Sequence, residues 1–275
     1  MEKEKKSQNI IPDSPKSNEI GMALRGLSLK EFEGQAAIKE ALEISIQAAS
    51  MRHDPLDHML FYGSHGLGKT TLAYTIAMEM KQPLHFIPSR LIRHSSEIIP
   101  TLVNLQQGEI LLVEEIHLLP HAAKEVLVTA MEDYAVDIKV GSETNVRYIR
   151  LDLPKFTLIG TTTRADKLPE SLRNCFCNAF CFDLYKSEEL ATMVRRTAQI
   201  YGTAIDDSSL HEIATHSRGI PGVAIKLFKR VRDYAQVRCG GDITISAVHN
   251  MFSLMGIYNS DISSITQSEN TRRSE

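Results

Sequence analysis

The sequence has no tryptophan, 6% aromatic residues and four cysteines in 275 positions. Aromatic platforms for stacking the bases of a single strand are therefore sparse. Cys175, Cys177, Cys181 and Cys239 are too few for a disulfide-stapled fold, and a chain this long buries a core without them. No positively charged segment followed by an apolar one opens the chain, and with the low cysteine count this points to a reducing, cytoplasmic setting. No apolar run approaches the roughly 20 residues that cross a bilayer, so no membrane is expected. Basic excess is missing as well: 31 Lys and Arg stand against 34 Asp and Glu, a net charge of -3. That balance neutralises few phosphates, so DNA contact calls for a local basic patch or a partner.

What is present falls into segments. Residues 1–20 and the last stretch, from about 257 to 275, are polar and predicted to be disordered tails. Between them, short apolar runs at 58–62, 84–87, 110–113, 157–160 and 181–184 alternate with helical patterns. Continuous apolar strands separated by helices imply an α/β fold, a parallel sheet covered by helices on both faces. From Ser187 the strand signal stops, and helices are predicted at 188–201, 207–217, 222–238 and 246–255, broken by Gly202, Gly219 with Pro221, and Gly240 with Gly241. The division predicted is therefore a large domain over 21–185 and a small all-helical domain over 186–256. Within the first, Val136, Ile138 and Val140 alternate with polar residues, a polar turn follows, and Ile149, Leu151 and Leu153 alternate again, which predicts a β-hairpin insert over 136–153.

The chemistry concentrates after the first strand. Gly63-Ser-His-Gly66-Leu-Gly68-Lys69-Thr70-Thr71 fits G-x-x-x-x-G-K-[ST] between a strand and a helix. The glycines let backbone N–H groups wrap phosphates, Lys69 sets a charge on the outer ones, and Thr70 offers a magnesium ligand. The strand at 110–113 leads into Glu114 and Glu115, two carboxylates at the strand end where α/β sheets hold ligands. One suits a magnesium shell and the other an attacking water. Thr161, Thr162 and Thr163 end the strand at 157–160, and Thr163 is a candidate γ-phosphate or water sensor. The C-x-C-x3-C of Cys175, Cys177 and Cys181 lacks a second ligand pair at zinc spacing and is not read as a metal site, and the scattered histidines are read as surface or packing residues.

Taken together with Gly34-Gln35, Leu56-Asp57-His58, Glu115-Ile116-His117, Ala130-Met-Glu-Asp-Tyr134, Leu151-Asp-Leu-Pro154, Thr162-Thr163-Arg164-Ala165 and Lys229-Arg-Val-Arg-Asp233, these strings make the chain resemble the RuvB family of AAA+ motors. Clamp loaders fit less well. The resemblance implies a large ATP-binding domain with a helical lid, and ATP with magnesium as ligands. It implies an ATP site with Leu24 and Arg25 near the base, Gly66 to Thr71 on the phosphates, Glu132, Asp133 and Tyr134 nearby, and Tyr185 at the lid junction. It also implies Holliday-junction branch migration, a hexameric ring, and a hairpin that docks a RuvA-like protein.

Four departures qualify that expectation. The family's arginine finger, the second Arg of Leu-Arg-Asp-Arg-Phe, is Cys175 in Leu172-Arg-Asn-Cys-Phe176. The lid arginine of Gly-Thr-Pro-Arg is Gly222 in Gly219-Ile-Pro-Gly222. The first acidic residue of the Asp-Glu pair is Glu114, and a C-terminal winged-helix DNA-binding domain is expected to be missing. An arginine finger contributes about 10³ to 10⁵ in rate, roughly 4 to 7 kcal/mol of barrier. Three readings follow: a RuvB-like ATPase with weakened hydrolysis, a non-hydrolysing ATP-binding subunit that docks RuvA or joins RuvB rings, and a clamp-loader-like subunit.

Overall fold

A computed structural model describes residues 28–140 and 147–257. The expected tails, the hairpin turn, Leu24 and Arg25 fall wholly or in part outside the described residues, although Ile257, placed in the tail from sequence, is buried in the core. In chain order the elements are α1 (Ala36–Arg52), β1 (Met59–Tyr62), α2 (Lys69–Glu79), β2 (Leu84–Pro88), α3 (Ile99–Asn104), β3 (Ile110–Glu114), α4 (His121–Glu132), β4 (Ala135–Val140), β5 (Arg147–Asp152), β6 (Thr157–Thr162), α5 (Glu170–Asn174), β7 (Asn178–Cys181), α6 (Ser187–Ile200), α7 (Asp207–His216), α8 (Pro221–Arg238) and α9 (Ile245–Leu254).

Five strands form one parallel sheet in the order β2-β3-β6-β1-β7. Successive side chains of a strand point to opposite faces, so an unbroken apolar run feeds two cores. Met59 and Phe61 of β1, Ile110 and Leu112 of β3 and Ile159 of β6 join one core, which extends without a break into the four-helix unit through Leu190, Val194, Phe228 and Phe252. Leu60, Leu111, Val113 and Leu158 join the other, against Leu127 and Ala130 of α4. β4 and β5 pair as the antiparallel hairpin expected, Ile138 opposite Ile149.

The fifth strand differs from expectation. It runs over Asn178–Cys181, paired with β1 from Met59 opposite Asn178 to Tyr62 opposite Cys181, rather than over 181–184. β7 is an edge strand with alternate residues exposed, so it lacks the fully apolar signature. The apolar letters that suggested 181–184 have other causes: Phe182 packs on Phe61 with ring centroids 5.5 Å apart, and Leu184 is exposed. β6 also continues to Thr162, two residues past the predicted end, which buries Thr161 and Thr162.

His58 ties three elements together at the N-terminal edge of the sheet. Its Nδ1 accepts the N–H of Leu158 at 2.9 Å, its Nε2 lies 3.3 Å from the Met131 carbonyl, and Tyr134 and Phe156 flank the ring. Burial pushes its pKa below the usual 6.5, against the pull of the Met131 carbonyl and Asp57. A folded-state pKa below the unfolded one means that the unfolded chain binds the extra proton, so stability is present above the unfolded pKa and is lost as pH falls from about 6.5 toward the folded value. We therefore expect the urea midpoint to fall between pH 7.5 and 5.5. His58→Asn should be less stable at pH 7.5 and lose less on acidification; equal losses in the two proteins would contradict this role.

Candidate functional site

The turn from β1 into α2 is built on glycine. Gly66 and Gly68 have φ of +82° and +91°, where a side chain is strained. Gly68 directly precedes the first residue of α2, so loop and helix N–H groups open toward one place. Lys69 is buried, and its Nζ donates to the carbonyls of Gly63 at 2.8 Å and Ser64 at 2.7 Å. Burial lowers its pKa, while the nearby charges of Glu115 and Glu114 oppose that shift.

The opposite wall comes from the ends of β3 and β6, neighbours in the sheet. Glu114 closes β3 with an Arg90 guanidinium 3.4 Å from its carboxylate. Glu115 follows with φ +51°, a left-handed backbone that costs a non-glycine residue energy and concentrates at functional sites. That turn sends its carboxylate toward β6, where Oε2 accepts from the N–H of Thr163 at 3.0 Å and from its hydroxyl at 2.9 Å. Glu115 N–H donates to Thr161 Oγ1 at 3.3 Å, and His117 lies alongside. Thr163 and Glu115 are thus brought together at one sheet edge; the backbone strain had no sequence signal, and His117, present in the sequence only within the string Glu115-Ile116-His117, was given no role there.

Two adjoining cavities share Gly68, Thr71, Pro221 and Ile225. The larger, about 260 Å³, is lined by Lys69, Thr70, Glu114, Glu115 and Gly222 among others. The smaller, about 100 Å³, is largely apolar, between Phe32, Tyr185, Met193 and Ile225. Of these, only Tyr185 was legible in the sequence. Its hydroxyl donates to Leu67 O at 3.1 Å, burial holds its phenol well above the ordinary range, and a Cβ on Gly34 would collide with its ring. The lid rests on the loop: Gly222 N–H donates to Gly66 O at 3.0 Å, and a Cβ on Gly222 would come to 3.1 Å from Gly66 Cα.

Glu132, Asp133 and Tyr134 do not join this site in their own chain. They close α4 and the turn after it, beside His58 at the N-terminal edge of the sheet, whereas the loop leaves the C-terminal edge. Cys175 lies at that far edge too. Its thiol donates to Ser171 O at 3.2 Å and faces Glu132 Oε1 at 3.5 Å. Burial, then the Glu132 charge, pushes it up to about 11, so it is a neutral thiol at physiological pH. Arg173 is turned to Leu168 O at 3.0 Å.

A parallel sheet carrying a glycine-turned loop after β1, an acidic pair after β3 and a helical unit resting on that loop defines an AAA+ P-loop NTPase. Residues 24–181 match the family model of the Holliday junction DNA helicase RuvB P-loop domain, and residues 185–258 match the RuvB AAA lid domain. The chain belongs to the RuvB family. It is 40% identical over 250 residues to the Holliday junction branch migration complex subunit RuvB of Acholeplasma laidlawii, covering 91% of this chain and 74% of that one. The Dehalococcoides mccartyi subunit is 45% identical over 238 residues, covering 86% and 67%. Among solved structures, the Thermotoga maritima RuvB Holliday junction branch migration motor superposes with a TM-score of 0.75 at 35% identity, covering 84% of this chain and 72% of that one.

The environment of Cys175 is directly checkable, because alkylation needs the thiolate. At pH 8, Cys175 should be the slowest of the four cysteines to react with iodoacetamide, read by peptide mass spectrometry. Glu132→Gln removes the nearby charge and should speed it several-fold. Fast labelling of Cys175 in the parent chain would contradict the half-buried, protonated thiol.

Proposed function

We propose that the chain binds ATP with magnesium across the two cavities and hydrolyses it weakly, as a RuvB-type subunit of Holliday-junction processing. The observation that carries this reading is the convergence of Lys69, Thr70, Glu114 and Glu115 on one cavity that opens into an apolar one beside Phe32 and Tyr185. The polar cavity suits the triphosphate and the apolar one the base. Lys69 takes the outer phosphates by leaving its loop carbonyls, Gly66 to Thr71 supply N–H groups, and Tyr185 closes the base side.

Thr70 and Glu114 are hard oxygen donors on one cavity and fit magnesium, which keeps most of its water shell and takes one or two protein oxygens. When bound, magnesium neutralises charge on the β- and γ-phosphates. Glu115 orients the attacking water, and Thr163 holds Glu115 and senses the γ-phosphate.

Hydrolysis is weak in this reading because two arginines of the family are Cys175 and Gly222. A neutral thiol offers no charge to a transferring phosphoryl group. The far-edge location of Cys175 and Glu132 to Tyr134 supports a ring, homo-hexameric or mixed with a complete RuvB, in which that edge meets a neighbour's site. The chain's slightly acidic balance supports engagement of junction DNA mainly through partners. The hairpin supports docking of a RuvA-like protein: Ile149 is exposed, whereas Ile138 opposite it packs on the second core.

Lys69→Ala should abolish binding of ATP and ADP by calorimetry while the fold survives; unchanged affinity would remove the assignment. Ile149→Glu should end capture by a RuvA-like protein with no loss of thermal stability, and capture that persists would refute the docking surface.

A further inference from the structure

His117 carries a largely covered imidazole that the proposed function leaves without a role. Its side chain is 8% exposed, and its Nδ1 lies 2.8 Å from Thr162 Oγ1 and 3.2 Å from Glu115 Oε2. Its own carbonyl accepts from Lys124 Nζ at 2.8 Å, and Lys124 is itself buried, so the residue is clamped by backbone as well as ring.

We infer that His117 is a positioning residue for Glu115: as the Nδ1–H tautomer it is the third donor to Oε2, beside the N–H and hydroxyl of Thr163. This rests on the reading of Glu115 as the group that orients water. A carboxylate oxygen carries only lone pairs. A bare Nδ1 at 3.2 Å would set lone pair against lone pair, whereas an Nδ1–H turns the same approach into a charge-assisted hydrogen bond. Thr162 Oγ1 already accepts the N–H of Arg164 at 3.0 Å and has a second lone pair for the shared Nδ1–H. Among the described residues no partner at Nε2 competes for the tautomer.

The ring is neutral, so the tautomer is a genuine choice. Burial lowers its pKa below the ordinary histidine value, Lys167, Lys124 and Arg164 push the same way, and Glu115 opposes them. With three donors on Oε2, the carboxylate cannot rotate freely, and Oε1 stays outside this set of bonds. A Glu115 that lost one donor would sample other rotamers. A misplacement of about 1 Å at such a group costs on the order of 10²-fold in rate.

Two measurements on the full chain test this. Nitrogen shifts of histidine labelled with ¹⁵N, with the His117 signals assigned by their loss in His117→Asn, should show Nδ1 protonated and Nε2 bare, and Glu115→Ala should shift the population toward Nε2–H. Finding Nε2–H in the parent, with the Thr162 hydroxyl donating to Nδ1, overturns the inference whether or not the chain hydrolyses ATP. In single-turnover hydrolysis, His117→Ala and His117→Gln should lose about 10- to 100-fold with nucleotide affinity unchanged. His117→Asn should stay within a few-fold, since its amide nitrogen stands where Nδ1 does while that of Gln stands nearer Nε2. Equal rates for Asn and Gln, or a loss of affinity in step with rate, also overturn it. A parent chain that binds ATP without turnover counts against the role given to Glu115, and the tautomer then decides alone.

Discussion

The site depends on the seating of the lid on the glycine loop, made by two hydrogen bonds, Gly222 N–H to Gly66 O and the Tyr185 hydroxyl to Leu67 O. Those bonds set the roof of the polar cavity and the wall of the apolar one, because Pro221, Gly222 and Ile225 line the first and Tyr185, Met193 and Ile225 the second. The core that begins under β1 runs on into the lid helices, so the contact is backed by packing. A small residue at 222 is part of the fit. An arginine there brings a Cβ to 3.1 Å from Gly66 Cα, tight enough that loop or lid gives way by a few tenths of an ångström. Restoring that charge therefore also perturbs the lid.

Around this contact the charges are arranged in pairs that hold one another. Lys69 lies on the loop carbonyls, Glu114 faces Arg90, and Glu115 is held by Thr163, with His117 alongside. Cys175 differs in kind. It sits among Ser171 and Glu132 as a protonated thiol, and no neighbouring cation on its own loop takes its place, since Arg173 is turned to Leu168.

How far the sequence could be read follows from what it encodes locally. The loop from Gly63 to Thr71 was legible because glycine, lysine and threonine at that spacing have one strong use, and the four lid helices because their apolar stripes recur at helical spacing. The hairpin was legible from its alternation. β7 was not, because an edge strand has no continuous apolar run, and neither was the end of β6, where threonines replace aliphatic residues. Glu132 to Tyr134 lie away from the loop because α4 follows β3 and runs back to the N-terminal edge of the sheet, where Tyr134 meets His58, a geometry that the family strings do not carry. The hydrogen bonds that join Glu115 and His117 to β6 and Thr163 link residues 45 to 48 positions apart, which no local pattern reveals.

In the proposed function this RuvB family member binds ATP and hydrolyses it weakly, with Cys175 and Gly222 where the family resemblance places arginines. The direct measurement pairs ATP affinity with ATP turnover in the parent chain and in Cys175→Arg with Gly222→Arg, each assembled at ring-forming concentration. The account predicts micromolar or tighter binding in the parent with slow turnover, and a rise on the order of 10³-fold or more in the double variant, with little gain from either change alone. A parent chain that already turns over ATP as fast as a RuvB carrying both arginines would contradict it.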